Sequence, residues 1–149
     1  GTVFRIYLPA IKAELKAKQQ ASLKVQGGSE TILLAEDDKA LRMLAKEVLT
    51  RKGYRVIEAT DGKDAVNKFT QQKDIIGLLV LDVVMPRMNG KEVYNKIRAI
   101  KPDIKALFMS GYTGDVVIDK GIYDDTVDFI SKPLSPNMLL VKVREVLDK

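Results

Sequence analysis

Downstream of Ser29, short apolar runs alternate five times with amphipathic stretches. Each run has the length and composition of a buried strand. The runs are TILLA (31–35), YRVIEA (54–59), GLLVLD (77–82), IKALFM (104–109) and VDFI (127–130). Strands that are apolar nearly throughout and separated by helices are typical of a parallel sheet covered on both faces. With right-handed crossovers, the pattern predicts an α/β fold with a doubly wound five-stranded parallel sheet. We expect the flavodoxin-like (βα)5 strand order 2-1-3-4-5.

Three of the helices carry boundary signals of their own. The helix after the first strand has Asp38 as a candidate N-cap and Gly53 as its stop. A later helix follows Asn89, with Glu92 three residues on, which is the spacing of a capping box. The last helix follows Ser135, with a proline at its first position.

The first 29 residues follow a different pattern. Residues 1–9 (GTVFRIYLP) predict an isolated strand that ends at its proline. Residues 10–29 favour helix by propensity up to about Val25, and then Gln26-Gly27-Gly28-Ser29 reads as a flexible joint. The expected organisation is a terminal strand, a partly helical linker over 10–29, and one domain over 30–149.

Charge and composition exclude several classes of function. The net charge is +5, but residues 1–29 alone carry +4, from five basic residues and one acid. The remaining +1 is spread over mixed charges without a basic stripe or a helix-turn-helix pattern, so we expect no direct contact with nucleic acid. No apolar run approaches the roughly 20 residues of a membrane span, and we expect a cytoplasmic protein that contacts no membrane directly.

The chain also contains neither cysteine nor histidine. That composition excludes disulfides, thiolate chemistry, an imidazole base and a histidine-ligated zinc site. If phosphohistidine takes part in the chemistry, another molecule or domain has to supply it.

Polar residues stand at the carboxyl ends of the predicted strands. Glu36 and Asp37 follow the first strand, Asp82 ends the third, Ser110 follows the fourth and Lys132 follows the fifth. Taken singly, each reads as an ordinary turn or surface residue, but in this fold they face one crevice. Three carboxylates repel one another unless a cation lies among them, and carboxylates with a backbone carbonyl suit Mg²⁺. The lysine and serine could hold an oxyanion, and an aspartate can take a covalent phosphoryl group.

The segment from about Glu30 to Lys149 resembles the receiver domain of bacterial two-component response regulators, the CheY-like family. The motifs ILLAEDD, LLVLDVVMPRMNG, ALFMSGYTG and VDFISKPLSP carry the resemblance, in that order. It implies that Asp82 is the phosphoacceptor and that Asp37 ligates Mg²⁺ directly. Glu36 would ligate the ion through water, and the backbone carbonyl of Val84 would complete the protein ligands.

The resemblance also implies a switch. Lys132 would pair with the phosphoryl group, and Ser110 would bond it after the switch. Phe129 stands where the family keeps a rotating aromatic residue, and the region around Tyr112–Ile122 would move. Phe129 lacks the hydroxyl of a tyrosine, which leaves the size of the response open. The implied phosphodonor is a histidine kinase or a phosphotransfer domain. The downstream partner is not named by the sequence, and a homodimer through the last helix is a family-level alternative.

Residues 1–9 resemble the end of the ATP-binding domain of a sensor histidine kinase, with Gly1-Thr2 as the tail of a glycine box. That resemblance implies a parent hybrid sensor kinase with this chain as its C-terminal receiver. The chain itself would be a self-phosphorylating and self-dephosphorylating switch and not a turnover enzyme. The alternative is that the strand belongs to this fold, as an edge strand or an exchanged arm.

Three other functions compete with a phosphorylated receiver. A haloacid dehalogenase-type phosphatase with an aspartate nucleophile needs a second acid two residues later, where this chain has Val84. A flavin-binding flavodoxin needs a phosphate-binding loop after the first strand, where this chain has Glu36-Asp37-Asp38. A pseudo-receiver would bind partners without taking phosphate, and the complete set of acids, serine and lysine disfavours it.

Overall fold

The structure, a computed structural model, describes residues 1–3, 26–111 and 127–149. Its strands are β1 Thr31–Ala35, β2 Arg55–Ala59, β3 Ile76–Asp82, β4 Lys105–Ser110 and β5 Asp128–Ser131. Its helices are α1 Lys39–Thr50, α2 Gly62–Gln72, α3 Gly90–Ile100 and, within the described ranges, α4 Pro136–Asp148. The strands form one parallel sheet in the order β2-β1-β3-β4-β5, which confirms the predicted fold.

Some of the sequence-based expectations fall outside these ranges. Most of the predicted strand over 1–9, most of the linker over 10–29 and the predicted switch region from Tyr112 lie outside the described residues. Among the residues that are described, no helix combines the length and the apolar character that crossing a bilayer requires.

Helices pack on both faces of the sheet because its central strands are apolar on both sides. Leu33 and Leu79 point to the face covered by α2 and α3, where Phe69 is fully buried. Ile32 and its neighbours point to the opposite face, which α1 and α4 cover. Successive strand residues alternate between two cores, so every position of β1 is buried, as parallel sheets require.

The predicted helix starts are confirmed, with one difference in detail. The Asp38 carboxylate accepts a hydrogen bond from the backbone N–H of Leu41 at 2.8 Å and caps α1. Asn89 and Glu92 form a reciprocal capping box at the start of α3, with both bonds at 2.9 Å. The helix α4 begins at Pro136 as predicted, but the side chain of Ser135 makes no capping bond.

The start of α2 lies against the loop that follows β3. The Asp61 carboxylate accepts hydrogen bonds from the backbone N–H groups of Lys63 and Asp64 at 2.9 and 3.0 Å. Gly62 approaches the backbone of Met88 so closely that a Cβ atom there would overlap the Met88 carbonyl oxygen. The loop that leads away from the end of β3 is therefore held in place by α2.

Residues 26–30, here called the lead-in segment, approach β1 along the other end of the sheet. The backbone N–H of Gly28 donates to the carbonyl of Lys52 at 3.1 Å. The backbone carbonyl of Glu30 accepts a hydrogen bond from the N–H of Arg55 at 3.0 Å. The side-chain carboxylate of Glu30 lies 2.9 Å from the guanidinium of Arg144. Burial alone would raise the pKa of Glu30, but its backbone hydrogen bonds and Arg144 outweigh burial and lower that pKa. The segment is thus attached to the α1–β2 turn, to β2 and to α4.

Candidate functional site

Three carboxylates meet at the carboxyl ends of β1 and β3. These two strands are neighbours in the sheet, which brings Glu36 and Asp37 beside Asp82. One carboxylate oxygen from each lies within 4.8 Å of the other two. The side chains of Glu36 and Asp82 are 1% and 8% exposed, whereas Asp37 is exposed. Two buried acids beside a third that faces solvent have the donor chemistry of a site for a hard divalent cation.

The ammonium group of Lys132 bridges two of these acids. Its Nζ lies 2.8 Å from Oε2 of Glu36 and 2.9 Å from Oδ2 of Asp82. Lys132 follows β5 directly and precedes a cis peptide bond to Pro133. Its backbone N–H donates to the carbonyl of Ser110 at 2.7 Å. The residue is therefore fixed at the end of β4 and reaches across to β3 and β1.

The pKa values of Glu36 and Lys132 are both raised, for different reasons. Burial raises the pKa of Glu36, and the Asp82 carboxylate raises it further, while Lys132 partly opposes both. Burial would lower the pKa of Lys132, but its hydrogen bonds to Glu36 and Asp82 outweigh burial and raise that pKa. Lys132 therefore stays charged at neutral pH.

The backbone satisfies the other oxygens of these acids. The N–H of Asp38 donates to Oε1 of Glu36 at 3.2 Å, and the N–H of Val84 donates to Oδ1 of Asp82 at 3.3 Å. The second oxygen of each acid is left facing Lys132. This arrangement orients both carboxylates toward Lys132 and the crevice.

The remaining predicted site residues lie around this cluster. Ser110 is the last residue of β4 and is buried, and Met109 pairs in register with Asp82. Phe129 is half-buried and packs against Phe108 with ring centroids 5.6 Å apart. Val84, two residues beyond Asp82, is exposed. The structure thus brings Glu36, Asp37, Asp82 and Lys132 into one cluster.

The sequence analysis missed Arg42, which is buried behind the acidic turn. Its Nη1 donates to the carbonyl of Glu36 at 2.6 Å and lies 3.3 Å from the carbonyl of Asp37. A signal was present in the sequence, because Arg42 shares the inward stripe of α1 with Ala45 and Leu49. An arginine on an apolar stripe needs polar partners inside the fold.

Comparison with known proteins decides the family of this chain. The family described as "Response regulator receiver domain" matches residues 32–144. The chain belongs to the response regulator receiver family. The expectation from its motifs is therefore confirmed, and the acids, lysine and serine described above occupy the carboxyl-end crevice of a receiver fold.

Similar receivers occur both as separate proteins and as parts of larger ones. The chain is 35% identical to the sensor kinase CckA of Brucella abortus, over 100% of this chain but only 17% of that kinase. It is 32% identical to the chemotaxis protein CheY of Thermotoga maritima, over 77% of this chain and 95% of that protein. A crystal structure of the receiver domain from the hybrid histidine kinase CckA matches with a TM-score of 0.67 and 32% identity. That match covers 78% of this chain and 98% of the other.

Proposed function

We propose that this receiver accepts a phosphoryl group from phosphohistidine on Asp82, with Mg²⁺ bound beside it, and changes conformation as a signalling switch. The phosphodonor is a histidine kinase or a phosphotransfer domain. The observation that carries this proposal is the acidic cluster bridged by Lys132, because one buried aspartate there has both a cationic partner and a place for a metal ion.

The residues present suit Mg²⁺. Three carboxylate oxygens within 4.8 Å of one another provide hard ligands on one side of an open crevice. Asp37 is exposed and would ligate the ion directly, and Glu36 would hold it through water. The backbone carbonyl of Val84 would supply a further ligand. When bound, Mg²⁺ would neutralise charge on the group being transferred.

The chain's own residues perform the transfer. A carboxylate oxygen of Asp82 attacks phosphorus, so that a P–O bond forms while the P–N bond to the donor imidazole breaks. Lys132, already 2.9 Å from Asp82, stays charged and pairs with the new phosphoryl group. Ser110 donates to that group after transfer, and Phe129 follows it. Water later hydrolyses the acyl phosphate and resets the switch.

Intact mass spectrometry after incubation with acetyl phosphate tests the proposal. The parent should gain one labile phosphoryl group with Mg²⁺ and much less when Mg²⁺ is chelated. Asp82→Asn should gain none. Asp103→Asn, at an exposed aspartate in a turn, serves as the matched control and should behave like the parent. An adduct that persists in Asp82→Asn would refute the assignment of the acceptor, and no adduct in any variant would favour a pseudo-receiver.

We further propose that this receiver comes from a hybrid sensor kinase and lies in the cytoplasm. The match to the Brucella kinase supports this origin, because it extends over the whole chain, including residues 1–29, whereas the match to the separate CheY protein covers 77% of it. Residues 1–9 would then end an ATP-binding domain and 10–29 would link it to the receiver over 30–149. Sequencing the gene upstream of Gly1 tests this, since a hybrid kinase requires the rest of that domain and a phosphorylatable histidine in the same reading frame.

A further inference from the structure

A buried arginine holds the acidic turn from behind. Arg42 lies on α1, one turn beyond the Asp38 cap, and reaches back to the two carbonyl groups that immediately follow β1. The stronger bond, at 2.6 Å, ends on the carbonyl of Glu36, and the carbonyl of Asp37 lies 3.3 Å away. One guanidinium nitrogen therefore contacts both peptide planes of the turn that carries two of the three acids.

The charge of Arg42 is balanced on its other side by Glu58 of β2. The Arg42 Nε lies 3.6 Å from Glu58 Oε2, and Lys46 contacts the other carboxylate oxygen of Glu58. The backbone of Glu58 is itself held, because its carbonyl accepts a hydrogen bond from Lys68 at 2.7 Å. Arg42 is thus fixed between β2 and the acidic turn.

The position of this pair suggests a task beyond stabilising the helix. The cap of α1 is already supplied by Asp38, so the helix start does not depend on Arg42. Acids that converge within 4.8 Å repel one another, and a turn that carries two of them would relax outward unless its peptide planes were held. A planar guanidinium that donates to carbonyl groups holds peptide orientation in a way that a lysine ammonium cannot.

We propose that Arg42, held by Glu58, is a positioning residue that keeps Glu36 and Asp37 aimed at the metal position beside Asp82. This inference rests on the proposed function, because it assigns a role toward the Mg²⁺ of that same site. Arg42 does not contact the metal position itself but acts through the backbone of the turn. Partners of this kind behind the ligands typically contribute about 10–100-fold to metal affinity.

Mg²⁺ titration of the unphosphorylated protein, followed by the NMR signals of its backbone amides, tests this directly. The variants are Arg42→Gln, Arg42→Lys and Glu58→Gln, and the matched control is Lys46→Gln, which removes the other partner of Glu58. We expect Arg42→Gln to weaken Mg²⁺ binding about 10-fold or more. Arg42→Lys should weaken it nearly as much although the charge is kept, Glu58→Gln should weaken it less, and Lys46→Gln should leave it unchanged.

A second readout separates positioning from general destabilisation. In Arg42→Gln, the rate of phosphorylation by acetyl phosphate should require more Mg²⁺ for half saturation but should return close to the parent rate at saturating Mg²⁺. Arg42→Gln with parental Mg²⁺ affinity and a lower free energy of unfolding in urea would overturn the inference and leave Arg42 a purely structural residue. If Arg42→Gln does not fold, parental Mg²⁺ affinity in Glu58→Gln would overturn the inference. Failure of the parent itself to bind Mg²⁺ would refute the proposed function instead.

Discussion

Replacing Lys132 with methionine should leave two buried carboxylates facing each other without their shared cation. Methionine keeps most of the length and apolar stem of lysine and removes the ammonium group. Glu36 and Asp82 would then lie in a crevice whose backbone contacts still hold them in place. The variant therefore isolates the charge of Lys132, whose side chain is 22% exposed, from its packing.

The distances give the size of the effect. At an effective dielectric constant of about 20, each contact of Lys132, at 2.8 and 2.9 Å, represents about 6 kcal/mol of attraction before desolvation is subtracted. Without the lysine, acid oxygens within 4.8 Å of each other repel by at least about 3.5 kcal/mol. The variant can avoid that repulsion if Glu36 takes up a proton. From the ordinary pKa of 4.5, protonation at about pH 7 costs about 3.4 kcal/mol.

The parent already bears part of the protonation cost, because its Glu36 pKa is raised. We therefore expect Lys132→Met to lose up to about 3 kcal/mol of stability at about pH 7. The loss should depend on pH in a definite direction. The pKa of Glu36 is already raised in the folded parent above its ordinary value of 4.5. Between pH 4.5 and the raised value, the folded protein holds a proton that the unfolded chain has lost, so the free energy of unfolding falls as the pH rises. Removal of Lys132 raises that pKa further and extends the decline to higher pH. The difference between variant and parent should therefore shrink by about 1.4 kcal/mol per pH unit as the pH falls from the variant's Glu36 pKa to the parent's raised pKa, and should stay constant at lower pH.

Urea unfolding of the parent, of Lys132→Met and of Lys96→Met across this pH range provides the measurement. Lys96 is an exposed lysine of α3 and controls for loss of a positive charge as such. Mg²⁺ should stabilise Lys132→Met more than the parent, since the ion would replace the missing cation among the acids. A loss of the same size at about pH 5 and about pH 8 would contradict the electrostatic reasoning and assign the effect to packing.

Two further pairs of variants test the local structure by urea unfolding. A Cβ atom on Gly90 would overlap the backbone carbonyl oxygen of Asp82, so Gly90→Ala should cost about 1–3 kcal/mol and, under the proposed function, slow phosphorylation. Gly77→Ala should be neutral or stabilising, because the nearest atom to its Cβ would be 3.9 Å away; a similar loss in both variants would exclude a steric cause. Asn89→Ala breaks the capping box with Glu92 and should cost about 1 kcal/mol, whereas Ser135→Ala should cost much less because that side chain makes no capping bond. Equal costs at the two caps would show that the bonds of Asn89 contribute nothing net.

Most of the fold could be predicted because its determinants are local. The strand β1 was predicted with the observed bounds, and the other strands were displaced by a residue at one or both ends. Apolar runs report burial on both faces of a sheet, but they do not report where the backbone hydrogen bonds begin and end. The caps at Asp38 and Asn89 were predictable for the same reason, since each bonds to a backbone group three residues away.

The helix α2 was harder to predict from its residues. Its buried stripe contains only Gly62, Ala65 and Phe69, so its pattern of apolar positions is weak. What fixes its start is Asp61, which caps the helix and lies 3.1 Å from Arg87, a residue with a positive φ of 68°. Contacts of this kind join segments that are distant in sequence, and periodicity within one segment contains no information about them.

The candidate site was predictable as a set of residues but not as an arrangement. Parallel strands place their carboxyl ends together, so the gathering of Glu36, Asp37 and Asp82 followed from the strand order. The bridge from Lys132 to two acids at once depends on the path of the chain after β5, which the sequence does not specify. Arg42 was missed because its partners are backbone carbonyl groups, and these are the same for every residue type.

Under the proposed organisation, the position of the lead-in segment limits how a phosphodonor in the same polypeptide can reach the acidic site. Glu30 is held at one end of β1, and Glu36 lies at the other end, six residues on and about 20 Å away at the rise of a parallel strand. The acidic cluster therefore lies at the end of the sheet opposite to the point at which the lead-in segment joins the domain. Under the proposed organisation, a linker of about 20 residues spans at most about 70 Å when extended and averages about 25 Å as a coil. A histidine donor in the same polypeptide would have to reach around the domain within that length. Shortening the linker should therefore abolish transfer within one chain while leaving transfer between two chains intact.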